Sequence, residues 1–71
     1  MISNSLKEAR LKRGISISEL ARRTKLSRMT IANIENKRVV PNLESAIFIS
    51  RELDEHLDDI FFEINVNHAL Q

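Results

Sequence analysis

The stretch SISELARRTKLSRMTIANIEN, residues 16–36, decides how this chain folds. Ser16-Ile17-Ser18-Glu19 has the spacing of a capping box, in which the Ser16 hydroxyl accepts from the Glu19 amide and the Glu19 side chain reaches back. A helix predicted from Ile17 to about Thr24 buries Leu20 and Ala21, and the small Ala21 admits a closely crossing neighbour. Lys25-Leu26-Ser27 then makes a tight polar joint, with Leu26 turned into the core and Ser27 a good N-cap. The next helix, predicted from Arg28 to about Asn36, buries Ile31 and Ile34 with Ala32 beside them. Arg28, Met29, Thr30 and Asn33 fall on its exposed side.

Toward the N-terminus, Leu6, Ala9, Arg10 and the stem of Arg13 recur at helical steps opposite Lys7, Glu8 and Lys12. They predict a first helix from about Asn4 to Arg13, stopped by Gly14 in the left-handed conformation, after which Ile15 turns inward. Toward the C-terminus, a connector from Lys37 to Pro41 leads to Asn42, an N-cap for a fourth helix. Leu43, Ala46, Ile47, Ile49, Ser50 and Leu53 give that helix a broad apolar face. A short fifth helix, roughly Leu57 to Phe61, buries Leu57, Ile60 and Phe61. Beyond it Phe62, Ile64 and Val66 alternate with Glu63, Asn65 and Asn67, the period of a strand. An edge strand needs a partner: Met1-Ile2-Ser3, the same segment of a second subunit, or both. The expected fold class is all-α: five helices, with a small two-stranded β element from the chain ends. Residues 1–71 are read as one domain.

Composition excludes several functions. Seventy-one residues without cysteine have neither disulfide nor thiolate metal site to staple a small core, which favours oligomerisation. One Gly and one Pro leave no Gly-rich phosphate loop, and His56 and His68 lack partners at metal-ligand spacing. No Ser/His/Asp pattern has supporting context, so neither an enzyme nor a metal, cofactor or small-molecule site is expected. No apolar run is long enough to span a membrane, and the N-terminus does not read as a signal peptide. A cytoplasmic protein is the expectation.

Charge is strongly polarised. Residues 1–41 hold ten Lys or Arg against Glu8, Glu19 and Glu35, a net +7. Residues 42–71 hold Arg51 alone against seven acids, a net −6. The overall +1 conceals this asymmetry, which suits a polyanionic partner. The plainer alternative is a pair of solvated faces. A short helix held out from a compact support, with cations around it, suits the major groove of DNA.

The spacing Ser16-x-x-Glu19-Leu20-Ala21, Leu26-Ser27-x-x-Thr30-Ile31-x-x-Ile34-Glu35-Asn36, Pro41-Asn42-Leu43 and Leu57-Asp58-Asp59-Ile60-Phe61 resembles the phage Cro/repressor-like (XRE) helix-turn-helix family over about residues 5–61. The resemblance implies a recognition helix, helix 3, in the major groove of double-stranded DNA. It also implies a two-fold homodimer reading half-sites roughly 34 Å apart. Members are commonly transcriptional repressors or switches. An antitoxin or anti-repressor gripping a basic protein through residues 42–71 is the competing expectation, and a DNA-bending protein fits poorly because no basic tail or wedge is present.

Within that frame Arg28 is the candidate for bonding guanine O6 and N7, Asn33 for the adenine N6/N7 pair, and Met29 and Thr30 for a thymine methyl. Ser27, Asn36, Lys37 and Arg38 are candidates for the phosphate backbone. Ile17 stands where the family often has a phosphate-bonding Gln, so that contact passes to Ser16 or Ser18. The resemblance makes Arg10 and Glu35 a structural ion pair. Lys25 and Lys37 replace common glycines, and Glu55 and His56 a usual apolar residue and Ser cap. Phe48 replaces a usual polar residue, which assigns Phe48, Leu57, Phe62, Ile64 and Val66 to the expected dimer contact.

Overall fold

The computed structural model describes residues 2–63. In order these form β1 (Ile2–Asn4), α1 (Leu6–Lys12), α2 (Ile17–Thr24), α3 (Arg28–Glu35), α4 (Leu43–Glu52), α5 (Leu57–Ile60) and β2 (Phe61–Glu63). This is the expected all-α class with its small antiparallel sheet. The strands pair in the register Ile2↔Glu63, Ser3↔Phe62 and Asn4↔Phe61. Leu6, Leu20, Ala21, Ile31, Ile34, Ile49, Leu53 and Ile60 make one core, to which every helix contributes or adjoins. Around it α2 packs on both α3 and α4, and α1 reaches α3.

Three of the helix starts are set by local chemistry. Ser16, Ser27 and Asn42 are extended residues whose side-chain oxygens accept the N–H three residues on, at 3.0, 3.0 and 2.8 Å. The capping box is only half formed, however. The Glu19 carboxylate does not reach back to Ser16, because Arg22 and Arg23 one turn on hold it instead.

Helix ends follow one rule four times. Gly14, Lys25, Lys37 and Asp54 all have φ between 53° and 67°. After each, the next N–H donates to the carbonyl five residues back: Ile15 to Arg10, Leu26 to Ala21, Arg38 to Asn33 and Glu55 to Ser50. Only the first uses glycine, so three residues hold a left-handed backbone that disfavours a Cβ by roughly 1–2 kcal/mol each. Lysine at the first two recovers part of this, since a cation favours the negative end of a helix dipole.

Several boundaries differ from the sequence expectation. Helix α1 begins at Leu6, not Asn4, because Asn4 pairs opposite Phe61 and bridges three elements. Its Nδ2 donates to the Ile34 carbonyl at 2.8 Å, and its Oδ1 accepts from the Leu6 N–H at 3.1 Å. Ser5 ties the same corner, its N–H donating to the Ile60 carbonyl and its hydroxyl to that of Asp59. Phe61 is extended and opens β2, which ends α5 at Ile60. Of the predicted strand residues, Phe62 lies in β2; Ile64 and Val66 lie outside the described residues. Leu43 is not core: 66% of it is exposed, because Ala46, Ile49, Ser50 and Leu53 already complete the inward stripe of α4.

Candidate nucleic-acid interface

Helix α3 is seated by apolar burial and then locked at its C-terminal end. Ile31 and Ile34 are buried, and so is Glu35, whose carboxylate turns toward α1. Arg10 Nε donates to Glu35 Oε2 at 2.7 Å and Nη2 to Oε1 at 3.2 Å, a two-pronged pair only 7–8% exposed. The third prong, Nη1, donates to the Ile15 carbonyl at 2.9 Å, so the guanidinium also fixes the turn leading into α2. Asn4 adds its bond to Ile34. Among the described residues no buried side-chain nitrogen or oxygen lacks a partner, which is the condition for a buried charge pair to be tolerated.

The outer side of α3 is different. Arg28 and Met29 are exposed, Asn33 is half-exposed, and Asn36, Lys37 and Arg38 continue the exposed edge past the helix end. Among the described residues none of these side chains makes a hydrogen bond or ion pair within the chain. Thr30 is the exception, its hydroxyl 2.8 Å from that of Ser27, so its polar atom is engaged at the cap. A shallow groove runs between the start of α2 and this face, lined by Ile17, Ser18, Arg28, Met29, Asn33 and Arg38. The structure thus brings Arg28, Met29 and Asn33 together with Ser18 and Arg38, while Thr30, the fourth expected base contact, does not line the groove. Ser16 lies just before the groove, its oxygen accepting from Glu19.

Ion pairing redistributes the charge that the sequence shows. Arg22 and Arg23 both bind Glu19, with Arg23 Nε donating to Oε2 at 2.8 Å. Hydrogen bonds from Arg22 and then Arg23 hold the Glu19 carboxyl down at about 2. The same contact raises the Arg22 pKa. At the other end, Lys12 lies 3.8 Å from Glu55, and Arg13 lies 3.6 Å from Asp54 and 3.8 Å from Glu55. Basic and acidic halves separated in sequence therefore meet in space. With Arg10, five cations are thus paired with four carboxylates, and of the six other Lys and Arg, Lys25, Arg28, Lys37 and Arg38 lie on or beside α3.

A second surface gathers apolar side chains. Val40, Leu43, Leu57 and Phe61 line one hollow, and Leu43, Ile47 and Phe48 line another. Leu43 belongs to both and links Phe48 to Leu57. Sequence reasoning missed Val40 and Leu43. The available signal was the width of the apolar face on α4, too broad for a single inward stripe. Phe62 is exposed on β2.

The Helix-turn-helix family pattern matches residues 6–60, from the start of α1 to the end of α5. The chain belongs to the helix-turn-helix family, XRE type. Among solved structures, a "putative DNA-binding protein from Bacteroides fragilis" is similar to it with a TM-score of 0.80 at 18% identity. That similarity covers 86% of this chain and 98% of the other, and bears on the fold. No curated protein matches the sequence. Family membership makes this helix-turn-helix chain a DNA-binding regulator. Among the described residues no helix is long and apolar enough to cross a membrane.

Proposed function

We propose that the chain is a sequence-specific reader of double-stranded DNA that sets α3 in the major groove and acts as a transcriptional repressor. The observation that carries this is the contrast on α3. Its inner side is fully packed and bonded, while Arg28, Asn33, Asn36, Lys37 and Arg38 on the outer edge have no partner among the described residues. Arg28 and Asn33 are the base readers, on guanine and adenine respectively. Ser18, Ser27, Asn36, Lys37 and Arg38 hold phosphates and so fix the register, with the Ser16 hydroxyl proton free to join them. Repression by occupying a site needs no more than this surface.

The working unit in this reading is a homodimer on a two-fold symmetric operator. The exposed apolar face from Phe48 through Leu43 to Leu57 and Phe61 supports it, as does Phe62 on the adjoining strand. A protein-binding role for the acidic half is less supported, since Asp54 and Glu55 already face Arg13 and Lys12.

The test is a selection from random duplexes with wild type and Arg28→Ala at two salt concentrations. A two-fold symmetric site should be enriched, and Arg28→Ala should relax one position in each half. Binding that falls with salt but enriches no site would leave only a basic surface.

A further inference from the structure

Resting on the homodimer reading above, we infer that the apolar face of α4 and α5 pairs antiparallel with the same face of a second copy, and that Arg51 and Asp58 select this partner. The face has two arms that meet at Leu43. One follows α4 through Ile47 and Phe48 and ends at Arg51. The other crosses to α5 past Leu57 and ends at Asp58. Leu43 is 66% exposed and Phe48 41%, apolar area that no described residue covers.

The two ends carry opposite charge. Arg51 and Phe48 also border a hollow with Arg23 and Lys25, where Glu52 is the single acid. Asp58 is followed by Asp59, and both are exposed. Among the described residues Arg51, Asp58 and Asp59 have no ion-pair partner, so neither end is neutralised from within. Glu44, the other charge on the face, sits in the first turn of α4, about two turns from Arg51.

This polarity chooses between the two ways of pairing such a face with itself. In a two-fold contact, a residue that meets a second residue of the other copy is met by that second residue in return. With the axis along the face, Arg51 meets Arg51 and Asp58 meets Asp58, and both ends repel. With the axis across it at Leu43, each Arg51 meets the Asp58 end of the other copy. Two opposite-charge contacts then flank an apolar middle. Rim charges of this kind fix register and reject wrong partners more than they add affinity.

The experiment is sedimentation of the full chain over a range of concentrations, alone and on the symmetric duplex that wild type enriches. Wild type is compared with Arg51→Glu, Asp58→Lys, the double variant, and an equimolar mixture of the two single variants, with thermal melts to check each fold. Each single variant should raise the dimer dissociation constant about tenfold, because two attractions become two repulsions. Mixing the single variants should restore association, since each copy then meets an opposite charge at both ends. The double variant should pair with itself about as well as wild type does, and should not pair with wild type. Single variants that dimerise as tightly as wild type, or a mixture no tighter than its parts, overturn the inference. Leu43→Glu keeps that failure apart from failure of the dimer reading. If it disrupts the dimer while the charge variants do not, this face is the interface and only the antiparallel pairing is wrong. If wild type stays monomeric both alone and on the duplex, the homodimer reading fails and this inference with it.

Discussion

Helices α2 and α3 are built alike and end up chemically opposite. Each has eight residues, each starts on a serine that accepts the third amide at 3.0 Å, and each is followed by a left-handed lysine. What separates them is the placement of one carboxylate. In α2 the acid is Glu19, on the outer side in the first turn, where it captures Arg22 and Arg23 at the i,i+3 and i,i+4 positions. In α3 the acid is Glu35, in the last turn and facing inward, where Arg10 neutralises it. The outer face of α3 is left without an anion. Helix formation is therefore the same local problem in both; which helix is chemically quiet and which can bind a polyanion depends on where its acid points.

The largest effect should come from breaking the inward pair. Glu35→Ala leaves the buried Arg10 guanidinium without a counter-charge, a loss of about 3–5 kcal/mol in a urea melt. Glu19→Ala removes an exposed acid and should change the midpoint far less. The double change Arg10→Met with Glu35→Leu should recover most of the loss, because two apolar chains need no mutual charge. Equal effects of Glu35→Ala and Glu19→Ala would erase the distinction between the helices.

Next in size is the DNA readout. Arg28→Ala should weaken binding to the selected site by about 1–3 kcal/mol and relax one base position. Lys37→Ala should weaken all duplexes alike and lower the salt slope by about one. Arg22→Ala should do neither, since its charge is already matched by Glu19. Fluorescence anisotropy titrations at several salt concentrations separate these outcomes. An Arg22→Ala loss as large as that of Arg28→Ala would mean that the Glu19-bound side of α2 also contacts DNA.

Much of this was legible in the sequence because it is local. The caps at Ser16, Ser27 and Asn42, the stop at Gly14 and the inward faces of α2 and α3 depend on residues within a turn of one another. The Arg10–Glu35 pair came from family resemblance, since nothing in the spacing of residues 25 apart announces a contact. Asn4 read as a helix start and became a strap, because its partners, Phe61 and Ile34, are remote in the chain. The charge asymmetry of the two halves overstated the basic surface, as Lys12 and Arg13 fold onto Glu55 and Asp54. Asp54 itself resembled any exposed acid, although it holds the left-handed turn that ends α4.

A smaller difference should appear between the two serine caps. Ser16→Ala and Ser27→Ala each remove one acceptor for an orphan amide, an effect of about 1 kcal/mol on stability. Ser27→Ala should be the more damaging, because the Thr30 hydroxyl at 2.8 Å also loses its partner. The extra disturbance falls beside Arg28, so Ser27→Ala should also weaken DNA binding more than Ser16→Ala, which removes a single phosphate contact. Thermal melts read the first effect and anisotropy titrations the second.

The subtlest test is acid titration of the outer clamp. The Glu19 carboxyl is lowered from 4.5 to about 2 by hydrogen bonds from Arg22 and Arg23. A depressed folded-state value means that the clamp's stabilisation is complete above about pH 4.5 and disappears as pH falls through about 2. The melting-temperature difference between wild type and Glu19→Gln should therefore be level above pH 5 and close toward zero between about 4.5 and 2. The size of the difference should be small, because solvent screens an exposed clamp. Near neutral pH the same variant removes the anion that holds Arg22 and Arg23, so its DNA binding should become steeper in salt than that of wild type. A melting difference independent of pH, with an unchanged salt slope, would show that α2 is quiet for some reason other than Glu19. The contrast between the two helices would then need a cause outside their own sequences.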